Sequence, residues 1–426
     1  MKFNRPAGWW AIVVSALVVL ATIPYLPFFG LPHISDDYLQ IELGRKYGPI
    51  SGWGQLAGDA LYRCRATSIL LTNWTEQWFG ATSAIFKAES TIFHIANTLL
   101  IAAFGSWRLI GWRLAIVSAG FFAVHEGHQE AVVWYAAIPE LLVFFFALLS
   151  LHAWLRFLEE DRPRLMYGAA LALFLLALLS KESAVAAVPI LAGAGYLSGK
   201  NWRFLLKTLS PFAAISLGYT ALIFASPETH LHLNDGTFAI TSPVAEVVAR
   251  SSFRLLWIWG LAALGFLAIR RTRSWQLVAG AGAWIVITLL PYSFLSYMPH
   301  VPSRHVYWAS AGLAFLVGIA ILSLWDSAPR MKPIAAGIAI VMIVHNCAYL
   351  WIRKYPQYER RAAPTEKLLI FSERLKGPIT IKCFPYTAEV ATLALQIRAG
   401  RSAASTLWNP NAAASDEGVY CDTDHP

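Results

Sequence analysis

The stretch ALALFLLALLSKESAVAAVPI, residues 170–190, contains two apolar runs separated by a single charged turn. Comparable apolar stretches recur along most of the chain. A bilayer core about 30 Å thick needs roughly 20 predominantly apolar residues for each helical crossing. The pattern therefore predicts an all-α polytopic membrane protein and not a water-soluble domain.

Composition supports the same class. Of the 426 residues, 57% are hydrophobic and 14% are charged, and the mean hydropathy is +0.50. Ordinary soluble domains carry about 25% charged residues, so a lipid-embedded core is the simplest explanation. We expect a bundle of about eleven transmembrane helices. The apolar stretches begin near Trp9, Phe93, Leu114, Leu141, Tyr167, Ala184, Leu209, Leu255, Leu277, Tyr307 and Ile334.

Basic residues lie in short loops between the apolar stretches, so the formal net charge of +9 does not indicate nucleic-acid binding. All of these clusters fall on alternate loops, and the positive-inside rule makes that face cytoplasmic. An odd number of crossings then places the N-terminus in the cytoplasm and the C-terminus outside, in an inner or plasma membrane. The clusters are Lys2 and Arg5; Arg108 and Arg113; Arg156, Arg162 and Arg164; Lys200, Arg203 and Lys207; Arg270, Arg271 and Arg273; and Arg330 and Lys332.

The chain divides into two predicted parts. Residues 1–352 form the membrane domain, whose long first external loop covers residues 31–90, and residues 353–426 form a non-cytoplasmic tail. The tail alternates short apolar runs with one helix-like stretch, which is typical of a small α/β unit. Its cysteines, Cys383 and Cys421, can pair only if the tail lies outside the cytosol. The cysteine spacing fits neither a zinc site nor a redox CxxC motif.

An acidic pair, Asp36 and Asp37, follows the first apolar stretch within a few residues. The pair therefore lies at the membrane surface, at the start of the external loop. One interpretation is that it caps a loop helix in water. The other is that one carboxylate deprotonates an acceptor hydroxyl, because a base at the lipid boundary can reach both a lipid-borne sugar and an aqueous acceptor.

The sequence HEGHQEAVVW, residues 125–134, lies where the third apolar helix is expected to reach the external surface. Ionisable residues at membrane depth usually mark function, and His125, Glu130 and Trp134 are the candidates here. The spacing of His125 and Glu130 is not that of an HExxH zinc motif, so metal binding is a minor alternative. Hydrogen bonding to water beside an aromatic belt is another.

Cationic candidates lie on the same predicted face. Lys181 and Glu182 end one apolar run just before the next begins. Lys181 either snorkels to the interface or orients a phosphate or a carboxylate. Arg304 precedes the tenth apolar stretch, and a guanidinium can donate two parallel hydrogen bonds to a phosphate ester. Arg63 lies in the first external loop.

Five sequence islands occur in a fixed order: SDDY (residues 35–38), FHIANTLL (93–100, with His94 and Asn97), VHEGHQEAVVWYAAIPELL (124–142, with His125, Glu130 and Trp134), LLSKESAVAAVP (178–189, with Lys181, Glu182 and Pro189) and SRHVYWASAG (303–312, with Arg304 and Tyr307). Together they resemble the GT-C class of membrane glycosyltransferases, in particular the O-mannosyltransferase-like family. Glu126, Ser303 and Ala309 depart from the family pattern. No tetratricopeptide repeat follows, unlike in the eukaryotic members.

The resemblance implies an inverting transfer of a sugar, such as the hexose mannose, from a polyprenyl-phosphate donor to an acceptor hydroxyl at the external face. Asp36 or Asp37 would act as the base, with Asp36 preferred, and Arg304 would hold the lipid phosphate. The other matching positions would shape the donor and acceptor pocket. The predicted binding residues are Arg63, His94, His125, Glu130, Trp134, Lys181, Glu182, Arg304 and Tyr307.

The resemblance also implies that no metal or other cofactor is needed, because relatives with monophosphate donors commonly work without one. The implied partners are membrane lipid, the lipid-linked donor, and a protein or glycan acceptor. Two other functions fit a polytopic protein. A transporter or flippase of lipid-linked sugars usually shows internal repeats and midplane charges, and an O-antigen polymerase or ligase usually has a large late external loop. This chain shows neither pattern.

Overall fold

The computed structural model describes residues 6–159, 163–270, 274–296, 298–412 and 418–422. Helices make up most of these residues. The predicted topology residues Lys2, Arg5, Arg162, Arg271 and Arg273 lie outside the described residues. The helices are α1 Ala7–Thr22, α2 Asp37–Tyr47, α3 Ala60–Phe79, α4 Ser83–Ala103, α5 Gly111–Val124, α6 Gln129–Val133, α7 Ile138–Glu159, α8 Pro163–Leu178, α9 Ala187–Leu197, α10 Trp202–Phe224, α11 Leu231–Asn234, α12 Val244–Leu256, α13 Trp259–Ile269, α14 Trp275–Leu289, α15 Ser310–Trp325, α16 Lys332–Ala348, α17 Tyr355–Glu373 and α18 Ala388–Ala399.

The predicted membrane class is confirmed. Within the described residues, five helical segments are long and apolar enough to cross a bilayer, and the α12–α13 pair, bent by 86°, would make a sixth. Four shorter apolar helices accompany them. The prediction of about eleven crossings stays a prediction, since it depends on how many of the shorter helices span. The five long segments are Ala7–Gly30, Tyr135–Glu159, Trp202–Phe224, Trp275–Phe294 and Pro329–Glu373.

Helix α15 packs against α5, α13 and α14. Two glycines make this approach possible. A Cβ atom at Gly312 would lie 2.6 Å from the Ala281 carbonyl oxygen of α14, and one at Gly318 would lie 2.3 Å from the Ser118 hydroxyl of α5. Small residues are favoured at such contacts in membranes, because helix association there depends on close packing. The short turn Ser303–Val306 precedes α15 and packs against α6.

The predicted first external loop, residues 31–90, is largely helical. Helices α2 and α3 pack against each other, and α4 begins at Ser83. At the start of the loop Ser35 has a positive φ of 45°, which is uncommon for a residue with a side chain. This turn leads directly into α2, so that Asp36 and Asp37 stand at the N-terminus of that helix.

The tail forms the predicted small α/β unit. Strands β1 Ile379–Cys383, β2 Thr406–Trp408 and β3 Val419–Cys421 make a parallel sheet in the order β2-β1-β3, and Cys383 is disulfide-bonded to Cys421. The tail core includes Tyr38 of α2, so the tail rests on the first loop. The predicted boundary between residues 352 and 353 falls inside the continuous helical segment Pro329–Glu373.

Candidate active site

Asp37 is fully buried, and both of its carboxylate oxygens accept backbone hydrogen bonds. Oδ2 accepts from the Ile34 N–H at 2.8 Å, and Oδ1 accepts from the Ala136 N–H at 2.9 Å. These bonds tie the first loop to the start of the segment that contains α7. A buried carboxylate satisfied in this way holds two segments together, so Asp37 is the weaker of the two candidates for the base.

Asp36 is only partly buried and is bonded differently. Its Oδ1 accepts from the Ser35 hydroxyl at 2.9 Å, whereas Oδ2 has no hydrogen-bond donor within the described part of the chain. Burial raises the pKa of Asp36 above its ordinary value, although the Ser35 hydrogen bond opposes the shift. A carboxylate with one unused oxygen and a raised pKa is well suited to accept a proton.

Glu130 and Arg304 form an ion pair between α6 and the turn Ser303–Val306. Arg304 Nη1 donates to Glu130 Oε1 at 2.9 Å, and Oε2 accepts from the Ser303 hydroxyl at 2.6 Å and from the Arg304 N–H at 3.1 Å. Burial acts to raise the pKa of Glu130, but the charge of Arg304 and these hydrogen bonds hold it below its ordinary value. Glu130 is therefore an anion that orients Arg304.

The Trp134 ring contacts two guanidinium groups. The central carbon of Arg304 lies 5.1 Å from the ring centroid, and that of Arg361, from the tail helix α17, lies 4.8 Å from it. The Trp134 ring nitrogen also donates to the carbonyl oxygen of Ile34 at 3.3 Å, two residues before Asp36. The charges of both arginines act to lower the pKa of Asp36 against the effect of burial. Segments far apart in sequence thus meet at one place. We call this group the tryptophan cluster; it consists of Asp36, Glu130, Trp134, Arg304 and Arg361.

A second group surrounds Lys181. Its ammonium donates to Glu140 Oε1 and lies 3.3 Å from His305 Nδ1. His305 Nδ1 contacts the same carboxylate oxygen at 2.5 Å, and the Tyr292 hydroxyl donates to Glu140 Oε2 at 2.6 Å. Every partner is buried. We call this group the lysine cluster; it consists of Glu140, Lys181, Tyr292 and His305.

Glu182 lies beside the lysine cluster and pairs with Arg65, whose Nη1 donates to Oε2 at 2.6 Å. The two predicted residues Lys181 and Glu182 line a cavity of about 320 Å³ together with His230 and Tyr292. Among the described residues, one group has its side-chain ligand atoms close enough to hold a metal ion, all within 4.8 Å of one another. That group is Cys64, Glu182 and His230.

His94 and Tyr307 lie inside the bundle and contact each other. His94 Nδ1 lies 2.8 Å from the Tyr307 hydroxyl, and its Nε2 lies 3.0 Å from the Ala123 carbonyl oxygen. The Tyr307 hydroxyl also accepts from the Asn97 amide at 3.3 Å. All polar atoms of these two side chains have hydrogen-bond partners within the protein, so the two residues join neighbouring helices.

His125 and Arg63 also lie outside the tryptophan cluster. His125 is 5% exposed and lies beside Phe121 and Glu126. Arg63 donates to the carbonyl oxygens of residues 56, 57 and 222, with distances of 2.6–3.1 Å. This guanidinium joins the first loop to α10. The predicted substrate-binding roles of Arg63, His94, His125 and Tyr307 stay predictions.

Sequence reasoning missed Arg361, Glu140 and Tyr292. Glu140 had a usable signal, because it is an ionisable residue at the start of a long apolar run and such residues usually mark function. The sequence contains no comparable signal for Tyr292 or Arg361. Arg361 lies among other charged residues of the tail, and only its contact with Trp134 distinguishes it.

Solved structures share this architecture. Apo ArnT from Cupriavidus metallidurans aligns with a TM-score of 0.56 and 13% identity, over 91% of this chain and 84% of that one. The same protein bound to undecaprenyl phosphate aligns with a TM-score of 0.53 and 11% identity, over 92% and 85%. The archaeal oligosaccharyltransferase AglB from Archaeoglobus fulgidus, in complex with an inhibitory peptide and a dolichol-phosphate, aligns with a TM-score of 0.57 and 13% identity, over 95% and 65%. No family model and no curated protein matches the chain in sequence.

ArnT and AglB are both GT-C class glycosyltransferases. At 11–13% identity the likeness concerns the fold, and the closer resemblance to O-mannosyltransferases stays a prediction. The alignment covers more than nine tenths of this chain in all three comparisons. The chain is an integral membrane protein with the fold of the GT-C membrane glycosyltransferases.

Proposed function

We propose that the protein transfers a sugar from a polyprenyl-phosphate donor to an acceptor hydroxyl. The observation that carries this proposal is the tryptophan cluster. In it the Asp36 carboxylate, whose Oδ2 has no hydrogen-bond donor among the described residues, lies near two guanidinium groups. A base beside a phosphate-binding pair is what sugar transfer from a lipid phosphate requires. The fold agrees with it, since ArnT has been solved with undecaprenyl phosphate and AglB with a dolichol-phosphate and a peptide.

Asp36 is the base in this proposal. As the acceptor oxygen attacks the anomeric carbon, its proton passes to Oδ2 of Asp36. The bond between the anomeric carbon and the phosphate oxygen breaks, and its electron pair leaves with the phosphate. Attack opposite the leaving group inverts the anomeric configuration. The products are the glycosylated acceptor and the free polyprenyl phosphate.

Arg304 stabilises the leaving phosphate. Negative charge grows on that group as the glycosidic bond breaks, and a guanidinium placed beforehand in a partly dry site stabilises it without reorganisation. Glu130 holds Arg304 in place through the ion pair and the hydrogen bond to its N–H. Trp134, which contacts both guanidinium groups, holds Arg304 and Arg361 side by side at the site.

The site faces the extracytoplasmic side in this proposal. Arg361 belongs to the tail helix and contacts Trp134, so the tail and the tryptophan cluster lie on one side of the membrane. The Cys383–Cys421 disulfide supports an oxidising compartment for the tail. Nucleotide sugars are confined to the cytosol, which is a further reason for a lipid-linked donor. We propose a hexose, such as mannose, as the sugar, a protein or a glycan as the acceptor, and no metal requirement.

The test is transfer from polyprenyl-phosphate hexose by the full-length protein carrying Asp36→Asn. We expect transfer to fall by about 10²- to 10⁴-fold, the usual contribution of a general base, while insertion and unfolding temperature stay unchanged. Asp37→Asn should instead lower the unfolding temperature, because an amide cannot accept from both backbone N–H groups as the carboxylate does. Glu42→Gln, on the same helix, is the matched control.

Wild-type transfer rates in Asp36→Asn would refute the role of the base. Movement of the lipid-linked sugar across vesicles by both wild type and Asp36→Asn, without transfer by either, would identify a flippase in place of a transferase.

A further inference from the structure

Arg361 enters the tryptophan cluster from the tail, which lies outside the region of the sequence resemblance. We infer that Arg361 is the main ligand of the donor phosphate, so that the tail helix α17 supplies part of the lipid-phosphate site. The inference rests on the proposed function and names one more residue in it. Its basis is a difference between the two arginines that contact Trp134.

Arg304 stabilises the phosphate only in part, because Glu130 already shares its charge. Its guanidinium pairs with the Glu130 carboxylate at 2.9 Å, so a phosphate that binds Arg304 must compete with that carboxylate. Arg361 has ring contacts instead, with Trp134 at 4.8 Å and Tyr358 at 5.3 Å. No carboxylate lies within ion-pair distance of Arg361 in the part of the chain that the structure describes. Its charge is therefore available to a ligand.

The backbone at Arg361 is held from two sides. The Tyr386 hydroxyl, from the segment after β1, donates to the Arg361 carbonyl oxygen at 2.5 Å. One turn earlier on α17, Tyr358 is buried with its ring 5.9 Å from that of Phe28, at the end of the first membrane span. Because Arg361 is already held in place, less conformational entropy of the protein is lost when a ligand binds it. The guanidinium rests on Trp134 before any ligand arrives.

The location fits an anionic head group attached to a lipid. Phe28 belongs to the helical segment Ala7–Gly30, which is long and apolar enough to span a bilayer, so α17 and Arg361 lie at the end of that span. Trp134, which contacts Arg361 at 4.8 Å, also donates to the carbonyl oxygen of Ile34 at 3.3 Å. These two contacts place the first loop, which carries Asp36, beside the same ring as Arg361. A phosphate at Arg361 would thus stand near the base while its prenyl chain remains in the bilayer. A planar guanidinium can donate two parallel hydrogen bonds to phosphate, which lysine cannot.

The experiment measures binding of undecaprenyl phosphate, without sugar, to the full-length protein in lipid nanodiscs, with neutral undecaprenol as the comparison lipid. Arg361→Gln is expected to weaken binding of the phosphate lipid by about 10- to 100-fold, the effect of losing charge-assisted hydrogen bonds, and to leave binding of undecaprenol unchanged. Arg361→Lys should restore only part of the loss. Arg360→Gln, at the exposed neighbouring position on α17, should bind as wild type does.

Wild-type affinity of Arg361→Gln for undecaprenyl phosphate would overturn the inference and leave the proposed function standing. Equal weakening for both lipids, or a lowered unfolding temperature, would assign Arg361 a structural role and also overturn it. If wild type does not prefer undecaprenyl phosphate to undecaprenol, the proposed donor falls together with the inference.

Discussion

The tryptophan cluster and the lysine cluster both bring charged residues together, but the charged side chains of the tryptophan cluster are more exposed. In the lysine cluster the side chains of Lys181 and Glu140 are 6% and 4% exposed, and in the tryptophan cluster those of Arg304 and Glu130 are 23% and 15% exposed. The two clusters meet at the turn Ser303–Val306, where Arg304 belongs to one and the adjacent His305 to the other.

The difference indicates which charges are available to a substrate. Within the lysine cluster each charged group is satisfied by its neighbours, and removing a partner would leave a buried charge uncompensated. The tryptophan cluster leaves an oxygen of Asp36 and the guanidinium of Arg361 without such partners among the described residues. We therefore assign chemistry to the tryptophan cluster and a positioning role, through the turn Ser303–Val306, to the lysine cluster.

The largest effect on stability is expected from Lys181→Met in the lysine cluster. It removes the cation from the buried Glu140 carboxylate, and breaking a buried ion pair by deleting one partner typically costs about 3–5 kcal/mol of stability. We expect a clearly lowered unfolding temperature in detergent. The double variant Lys181→Met/Glu140→Gln should recover part of the loss, because it leaves no unpaired charge.

The matched comparison is Arg361→Met in the tryptophan cluster, where loss of ring contacts should cost about 1 kcal/mol or less. An unchanged unfolding temperature for Lys181→Met, combined with lost binding of undecaprenyl phosphate, would reverse the assignment and make the lysine cluster the phosphate site.

The fold and half of the site were accessible from the sequence for one physical reason. Apolar length and charge at membrane depth are local properties, so the membrane helices could be predicted, and Asp36, Glu130, Lys181 and Arg304 could be named as candidate site residues. Pairing is not local. Nothing in the run of residues indicates that Glu130 pairs with Arg304 while Lys181 pairs with Glu140, 41 residues away.

The same limit applies to His94, Tyr307 and Arg361, whose contacts could not be predicted. His94 and Tyr307 match family islands, yet they bond to each other inside the bundle, because a polar residue in a membrane helix serves packing as readily as catalysis. Arg361 shows the opposite case. It lies in a polar tail where charge is common, and its contact with Trp134 depends on how the tail rests on α2.

A smaller effect is expected in the pH dependence of transfer. Asp36 must be deprotonated to act as the base, so kcat/KM should fall as the pH drops through its pKa. Burial raises that pKa, which places the acid limb above the ordinary range of aspartate, while the charge of Arg361 lowers it. Arg361→Gln should therefore move the acid limb to higher pH. The measurement is kcat/KM against pH for wild type, Arg361→Gln and the Arg360→Gln control. If the acid limb of Arg361→Gln stays at the wild-type pH, the charge of Arg361 does not act on the group that titrates, which contradicts this prediction.

The smallest effect is expected from removal of divalent metal. This experiment tests whether the buried residues beside the lysine cluster bind a metal ion. Cys64, Glu182 and His230 have the spacing of a metal site, but Glu182 is already paired with Arg65 at 2.6 Å. Burial also raises the pKa of Cys64 to about 12, so the thiol is neutral near pH 7, and His230 Nδ1 accepts from the Leu233 N–H.

A divalent cation at these three residues would have to bind beside the positive charge of Arg65 and release the thiol proton. EDTA should therefore change neither the transfer rate nor the unfolding temperature, measured before and after dialysis. A loss that Zn²⁺ restores in wild type, and that Cys64→Ser reproduces without EDTA, would make this buried group a metal centre. In that case the clear division between a reactive tryptophan cluster and a structural surrounding would no longer hold.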